Sequence, residues 1–149
     1  MGQPDTGEAD IFILGTGIRS GDDITRQTID TLARCREVLY VDPAIGTKAL
    51  LQEYCPKVTS LFEQSYGAGM PRLSGYRHMA VRVVEAALAN PPVAFAIHGH
   101  PLVLCTAPFL IQSMAAALGL RVKTLPGISA LDHLFADLQL DPGRGGLLM

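Results

Sequence analysis

The chain has 149 residues, of which 48% are hydrophobic and 17% charged, and its formal net charge is −2. That length fits one domain, with a core that buries roughly 70% of the unfolded surface. The composition is that of a globular chain, the charge argues against a general nucleic-acid binder, and no apolar stretch reaches the ~18 residues of a membrane span.

The opening "MGQPDTGEAD" is acidic and polar, not a secretory signal, and residues 1–9 read as a flexible tail. "ADIFILGTG" (9–17) is a short apolar run closed by glycines, which predicts a buried strand and its turn. "DDITRQTIDTLARCR" (22–36) predicts a helix with Ile24, Thr28, Leu32 and Cys35 on one face and Asp23 as its N-cap. "EVLYVDP" (37–43) is a second strand, "GTKALLQEYCP" (46–56) a short helix and "KVTSLF" (57–62) a weak third strand. A glycine-rich loop (66–75) precedes the clearest helix, 76–90, whose apolar face is Met79, Val83, Val84 and Ala87. "PPVAFAI" (91–97) is an apolar strand, and "APFLIQSMAAALG" (107–119) a helix stopped by Gly119. "LRVKTL" (120–125) is a strand, after which "PGIS" (126–129) opens a last helix, "ALDHLFADL".

Strands that alternate with helices and are apolar throughout predict an α/β fold, a parallel sheet flanked by helices. Ligands of such sheets bind beyond the carboxyl ends of the strands. Four of those ends carry unusual chemistry here: "GTG" (15–17), "DP" (42–43), "HGHP" (98–101) and "PGIS" (126–129).

"GTGIRSG" (15–21), with Asp42 ending the second strand, partly resembles a dinucleotide fingerprint. Position 20 is serine, however, and the helix starts late, so a tight turn without ligand is as good an account. His98 and His100, two apart on a strand, would face the same way and could hold zinc, but no further ligands complete a set. Gly99 would let a ligand approach the backbone, with Pro101 fixing the exit and "LVLCT" forming an apolar wall. "PGIS" is a turn and cap that would also offer N–H groups and a hydroxyl to the same cleft. Arg72 and Tyr76 are four apart, hence neighbours if the helix begins that early. A cation there can lower a phenol's pKa, but taken alone the spacing favours a solvated arginine beside a packed tyrosine. Cys35, Cys55 and Cys105, odd in number and widely spaced, read as free, packed thiols.

"FILGTGIRSGDDITRQTIDTLARCREVLYVD" resembles the opening of the tetrapyrrole (corrin/porphyrin) methylases, class III S-adenosylmethionine-dependent methyltransferases. "HGHPLVL" and "LRVKTLPGISALDHLFADLQLDPGRGG" are most similar to the borosin-type branch, which methylates backbone amides of a peptide. The resemblance covers about residues 10–146. It implies that this chain is the N-terminal α/β domain of a two-domain protein (10–149), with the second domain absent. It implies an S-adenosylmethionine pocket built from His98, His100, Pro101, Leu102, Val103, Leu104, Ser129 and Ala130, and no metal. It also implies that Tyr66, Arg72 and Tyr76 help to take the proton from an amide nitrogen. His98 departs from the branch, which has tyrosine before "GHP". A peptide or small-molecule substrate, a homodimer and a cytoplasmic location go with the resemblance. "HGHP" thus reads as a cofactor turn. The alternatives are methylation of a tetrapyrrole ring carbon, a nucleotide-binding module, and a non-catalytic half-domain.

Overall fold

The computed structural model describes residues 9–145. The expected tail lies outside them except for Ala9, which is buried. Five strands form one sheet: β1 (Ile11–Gly15), β2 (Glu37–Val41), β3 (Val58–Ser60), β4 (Val93–Ile97) and β5 (Val122–Thr124). Their order is β3-β2-β4-β1-β5, and every pairing is parallel. Seven helices connect and follow them: α1 (Arg26–Leu32), α2 (Ile45–Tyr54), α3 (Phe62–Ser65), α4 (Arg72–Ala89), α5 (Ala107–Ala117), α6 (Ala130–Leu138) and α7 (Pro142–Gly145).

The central strands β1 and β4 are apolar because both faces of the sheet are covered, while the edge strands carry Thr59 and Ser60 in β3 and Lys123 and Thr124 in β5. Ile11, Ile13, Leu39, Val41, Val93 and Phe95 point to one side, where Met79, Val83, Val84 and Ala87 of α4 and Ile111 and Ala115 of α5 meet them. Phe12, Leu14, Val38, Tyr40, Ala94 and Ala96 point to the other, against Leu32, Cys35, Leu51 and Cys55. Successive side chains alternate between faces, so each strand serves two cores. The face expected of the last helix turn of α4 and that of α1 are both present, with Thr28, Leu32 and Cys35 buried.

Three boundaries differ from the sequence expectation. The N-cap of α1 is Thr25, not Asp23: the Thr25 hydroxyl accepts the Thr28 N–H at 3.1 Å, because the helix begins two residues later than the polar run suggested. Phe62 belongs to α3 rather than to a strand, since the Ser60 hydroxyl accepts the Phe62 N–H at 3.3 Å and turns the chain into a helix. The loop at 66–75 ends early, because α4 starts at Arg72 behind Pro71. Gly75 therefore lies inside a helix, and a Cβ there would collide with the Ser65 carbonyl. The glycine that resembles a loop signal is what lets α4 pack against α3.

Candidate functional site

The carboxyl ends of β1, β4 and β5 release three turns that are locked together by backbone contact. Gly17 and Gly99 form an antiparallel bridge, the Gly99 N–H donating to the Gly17 carbonyl at 2.9 Å and the Gly17 N–H returning at 3.4 Å. A Cβ on Gly15 would strike the Gly99 carbonyl, and one on Gly127 would sit 2.6 Å from that oxygen and 3.0 Å from the Gly15 Cα. Gly17 and Gly99 take φ of +78° and +75°, a region that favours glycine. The close approach expected at Gly99 is thus made by the chain's own backbone, and the glycines shape the frame rather than contact a ligand themselves.

His98 and His100 do not share a face, because the left-handed Gly99 between them breaks the strand alternation. His98 is half-exposed, with Nδ1 3.7 Å from an Asp42 carboxylate oxygen. The His100 Nδ1 accepts the Leu102 N–H at 3.1 Å, which places a neutral ring's proton on Nε2. Among the described residues no three His, Cys, Asp or Glu side chains are grouped so as to hold a metal ion. Pro101 is buried and Val103 half-buried, whereas Leu102 is exposed and Leu104 is wholly exposed at φ +55°. A leucine held left-handed with its side chain in water carries backbone strain that no packing among the described residues repays.

Ser129 is buried at the start of α6, where a capping box uses its groups. Its hydroxyl accepts from the Leu131 N–H and donates to Asp132 at 3.0 Å, and its N–H donates to the same carboxylate at 2.7 Å. Those bonds hold the Asp132 carboxyl below its ordinary range, and His100 and His133 add to the effect. The serine therefore offers a ligand no free hydroxyl, and Ala130 is the exposed residue beside it.

The G-x-G turn after β1 is not arranged for a dinucleotide. The Ile18 and Arg19 N–H groups, which would face a pyrophosphate, donate to Asp23 at 3.2 and 2.8 Å. An internal carboxylate occupies the anion position. Asp42 is likewise engaged, accepting the Ala44 N–H at 2.8 Å and the Thr47 hydroxyl at 2.6 Å.

Tyr66, Arg72 and Tyr76 come from the α3 C-cap and the first turns of α4. Arg72 and Tyr76 are a helical turn apart, as an early start of α4 requires. Tyr66 is half-exposed and tilted against Phe62, with ring centroids 5.2 Å apart. Burial first, then Tyr76 and Cys105, push the Tyr66 phenol above its ordinary range, while Arg72 pulls it down. The cation does not win at Tyr66, so this phenol keeps its proton at neutral pH. Cys105 directly follows the turn that begins at His98, and it packs against the same core as Phe62 and Tyr76, which sets the turn and the tyrosine segment on the same side of the sheet. Sequence patterns showed neither this link nor the partners Phe62, Asp132 and His133; the first depends on α3, which no periodicity announced.

The chain belongs to the tetrapyrrole (corrin/porphyrin) methylases, whose family model matches residues 10–148. The methyltransferase/ribosomally synthesized cyclic peptide omphalotin A precursor of Omphalotus olearius is 34% identical over 140 residues, 93% of this chain and 33% of that protein. A methyltransferase/type III borosin cyclic peptide precursor of Anomoporia bombycina is 33% identical over 138 residues, 93% of this chain and 16% of that protein. The chain thus spans a third or less of these relatives. In fold it matches a diphthine synthase with a TM-score of 0.68 at 17% identity, covering 91% of this chain and 51% of that one. The expected α/β architecture and family are therefore found. No helix among the described residues is long and apolar enough to cross a membrane.

Proposed function

We propose that this chain is the catalytic N-terminal domain of an S-adenosylmethionine-dependent methyltransferase that methylates backbone amide nitrogens of a peptide. The observation that carries the proposal is the packing of Cys105, Phe62 and Tyr76 on one core, which sets the glycine-framed turn on the same side of the sheet as two tyrosines and an arginine. The two relatives described above are named as methyltransferases joined to cyclic-peptide precursors, which supports the same acceptor.

The residues present fit the cofactor. Leu102 and Leu104 offer apolar surface to a thioether and an adenosine, His98, His100, Pro101 and Val103 shape the turn, and the backbone at Ser129 and Ala130 closes the far side. When bound, S-adenosylmethionine supplies an electrophilic methyl group. The acceptor is the harder partner, because an amide lone pair is delocalised into its carbonyl. Tyr66, still protonated, donates a hydrogen bond to the amide oxygen and draws charge onto it. Tyr76 accepts the proton of the amide nitrogen at its hydroxyl oxygen while passing its own proton to solvent, and Arg72 stabilises the imidate anion that results.

A second copy of the chain is the proposed partner, supported by the exposed side chains Leu73, Val81 and Leu88, which cluster on one side of α4. The three free thiols suit a reducing compartment, here the cytoplasm. Incubating the full-length protein with S-adenosylmethionine and a peptide library, followed by fragmentation mass spectrometry, tests the reaction. Methyl groups on backbone nitrogens are the expected product. Methylation of a tetrapyrrole ring carbon with none on peptides would replace this assignment with the ring-carbon one.

A further inference from the structure

Asp23 and His133 lie 110 positions apart and form the closest side-chain contact between the turn after β1 and α6, with the His133 Nε2 2.6 Å from an Asp23 oxygen. Because the carboxylate can only accept, the ring donates through Nε2–H. The same Asp23 oxygen accepts the Ile18 and Arg19 N–H groups, so one atom gathers three donors from two segments. Both side chains are largely buried, 21% and 14% exposed for His133 and Asp23. The backbone bonds and the histidine hold the Asp23 carboxyl below its ordinary range.

The placement of this bond closes a circuit. Gly17, which precedes Ile18, leaves no room for a Cβ because Asp23 stands against it, and Gly17 is also bridged to Gly99. Gly99 opens the His100–Leu104 turn and touches Gly127 two residues before Ser129. From Ser129, one turn of α6 leads to His133, and His133 returns to Asp23. The Asp23–His133 bond is the side-chain hydrogen bond from the β1 turn to α6, whereas Thr16 ties the same turn to β4 through the Ile97 carbonyl.

We propose that His133 is a positioning residue: by donating to Asp23 it clamps the β1 turn to α6 and thereby fixes the geometry of the cofactor cradle. The proposal rests on the cofactor assignment above. His133 touches neither cofactor nor substrate in it; the effect passes through Asp23, the Ile18 and Arg19 amides, and the Gly17–Gly99 bridge.

The test compares wild-type full-length protein with His133→Leu and His133→Gln. Glutamine keeps an N–H donor at similar reach, and leucine keeps only volume. Two quantities are measured: S-adenosylhomocysteine affinity by calorimetry, and hydrogen exchange at the Ile18 and Arg19 amides by NMR, with Ile13 and Leu14 as internal references. His133→Leu is expected to weaken binding about tenfold, the scale of one hydrogen bond to a charged group. It should also speed exchange at Ile18 and Arg19 without altering Ile13 and Leu14, and His133→Gln should restore both. Wild-type affinity in His133→Leu, or unchanged exchange at Ile18 and Arg19, overturns the clamp. So does a folded His133→Gln that behaves like the leucine variant. If the wild-type protein binds no S-adenosylhomocysteine, the cofactor assignment fails, and the exchange data alone then decide whether the bond orders the turn.

Discussion

The turn after β4 and the segment from Tyr66 to Tyr76 border one core through Cys105 and Tyr76, but they are held in different ways. The turn is fixed by main chain: Gly15, Gly17, Gly99 and Gly127 bring three strand ends so close that side chains have no place between them. The tyrosine segment is fixed by side chains, Tyr66 leaning on Phe62 and Tyr76 packed at the edge of the α4–α5 core. A frame of the first kind tolerates almost no substitution at its glycines. An array of the second kind can lose a single functional group and keep its shape. The proposed donor side of the reaction is therefore rigid by construction, and the acceptor side is adjustable.

The sharpest way to break this contrast is Gly15→Ala. The new methyl group would meet the Gly99 carbonyl head-on, and a loss of about 3 kcal/mol or more in unfolding free energy is expected, read from urea denaturation. A loss below about 1 kcal/mol would mean that the three turns are not rigidly joined. Tyr76→Phe tests the other side. Single-turnover methylation should fall about 10²–10⁴-fold, with stability and S-adenosylmethionine affinity nearly unchanged. Near-full activity in that variant would remove the base from the mechanism.

A smaller effect has an unusual sign. Leu104→Gly relieves a left-handed leucine that packs on nothing among the described residues, so stability should rise by about 0.5 kcal/mol after the added chain entropy is counted. Cofactor affinity should fall in the same variant, which thermal melts with and without S-adenosylhomocysteine would show. The smallest expected effects are ionic. Asp10, Asp23 and Asp132 all have carboxyls held below the ordinary 3.8, chiefly by backbone N–H groups of Arg121, Arg19 and Ser129. A depressed carboxyl stabilises the fold fully above its unfolded value and loses that contribution as pH falls through the folded one. Melting temperatures should thus be flat with respect to these groups near neutrality and drop below about pH 4. Asp23→Asn should blunt that drop.

The architecture was legible because the inner strands β1, β2 and β4 are almost wholly apolar and each long helix has a stripe, patterns that follow directly from a sheet covered on both faces. α6 was legible to the residue, since "PGIS" ends in a serine suited to an N-cap and "ALDHLFADL" spans the helix. The misses share a cause. Asp23 is a good N-cap by local rules, but its strongest partners are the Ile18 and Arg19 amides behind it and a histidine far along the chain. Gly75 reads as loop until Ser65 is folded against it. For the site, the glycines and the proline of "HGHP" announced a special turn, whereas Tyr66, Arg72 and Tyr76 were named by the family resemblance, their spacing alone fitting a packed tyrosine beside a solvated arginine. That Cys105 and Tyr76 pack on one core is a tertiary fact with no local signature.

Strand β1 also has a consequence for synthesis. Its partners are β4 and β5, with Ile11 beside Val93 and Val122, so β1, once made, has nothing to pair with until most of the domain has followed. At elongation rates of about 5–20 residues per second, that delay is roughly 4–16 s before Val93 is made. The β2–β3 pair forms from neighbouring sequence in the meantime, while β1 waits as an unshielded, aggregation-prone ribbon.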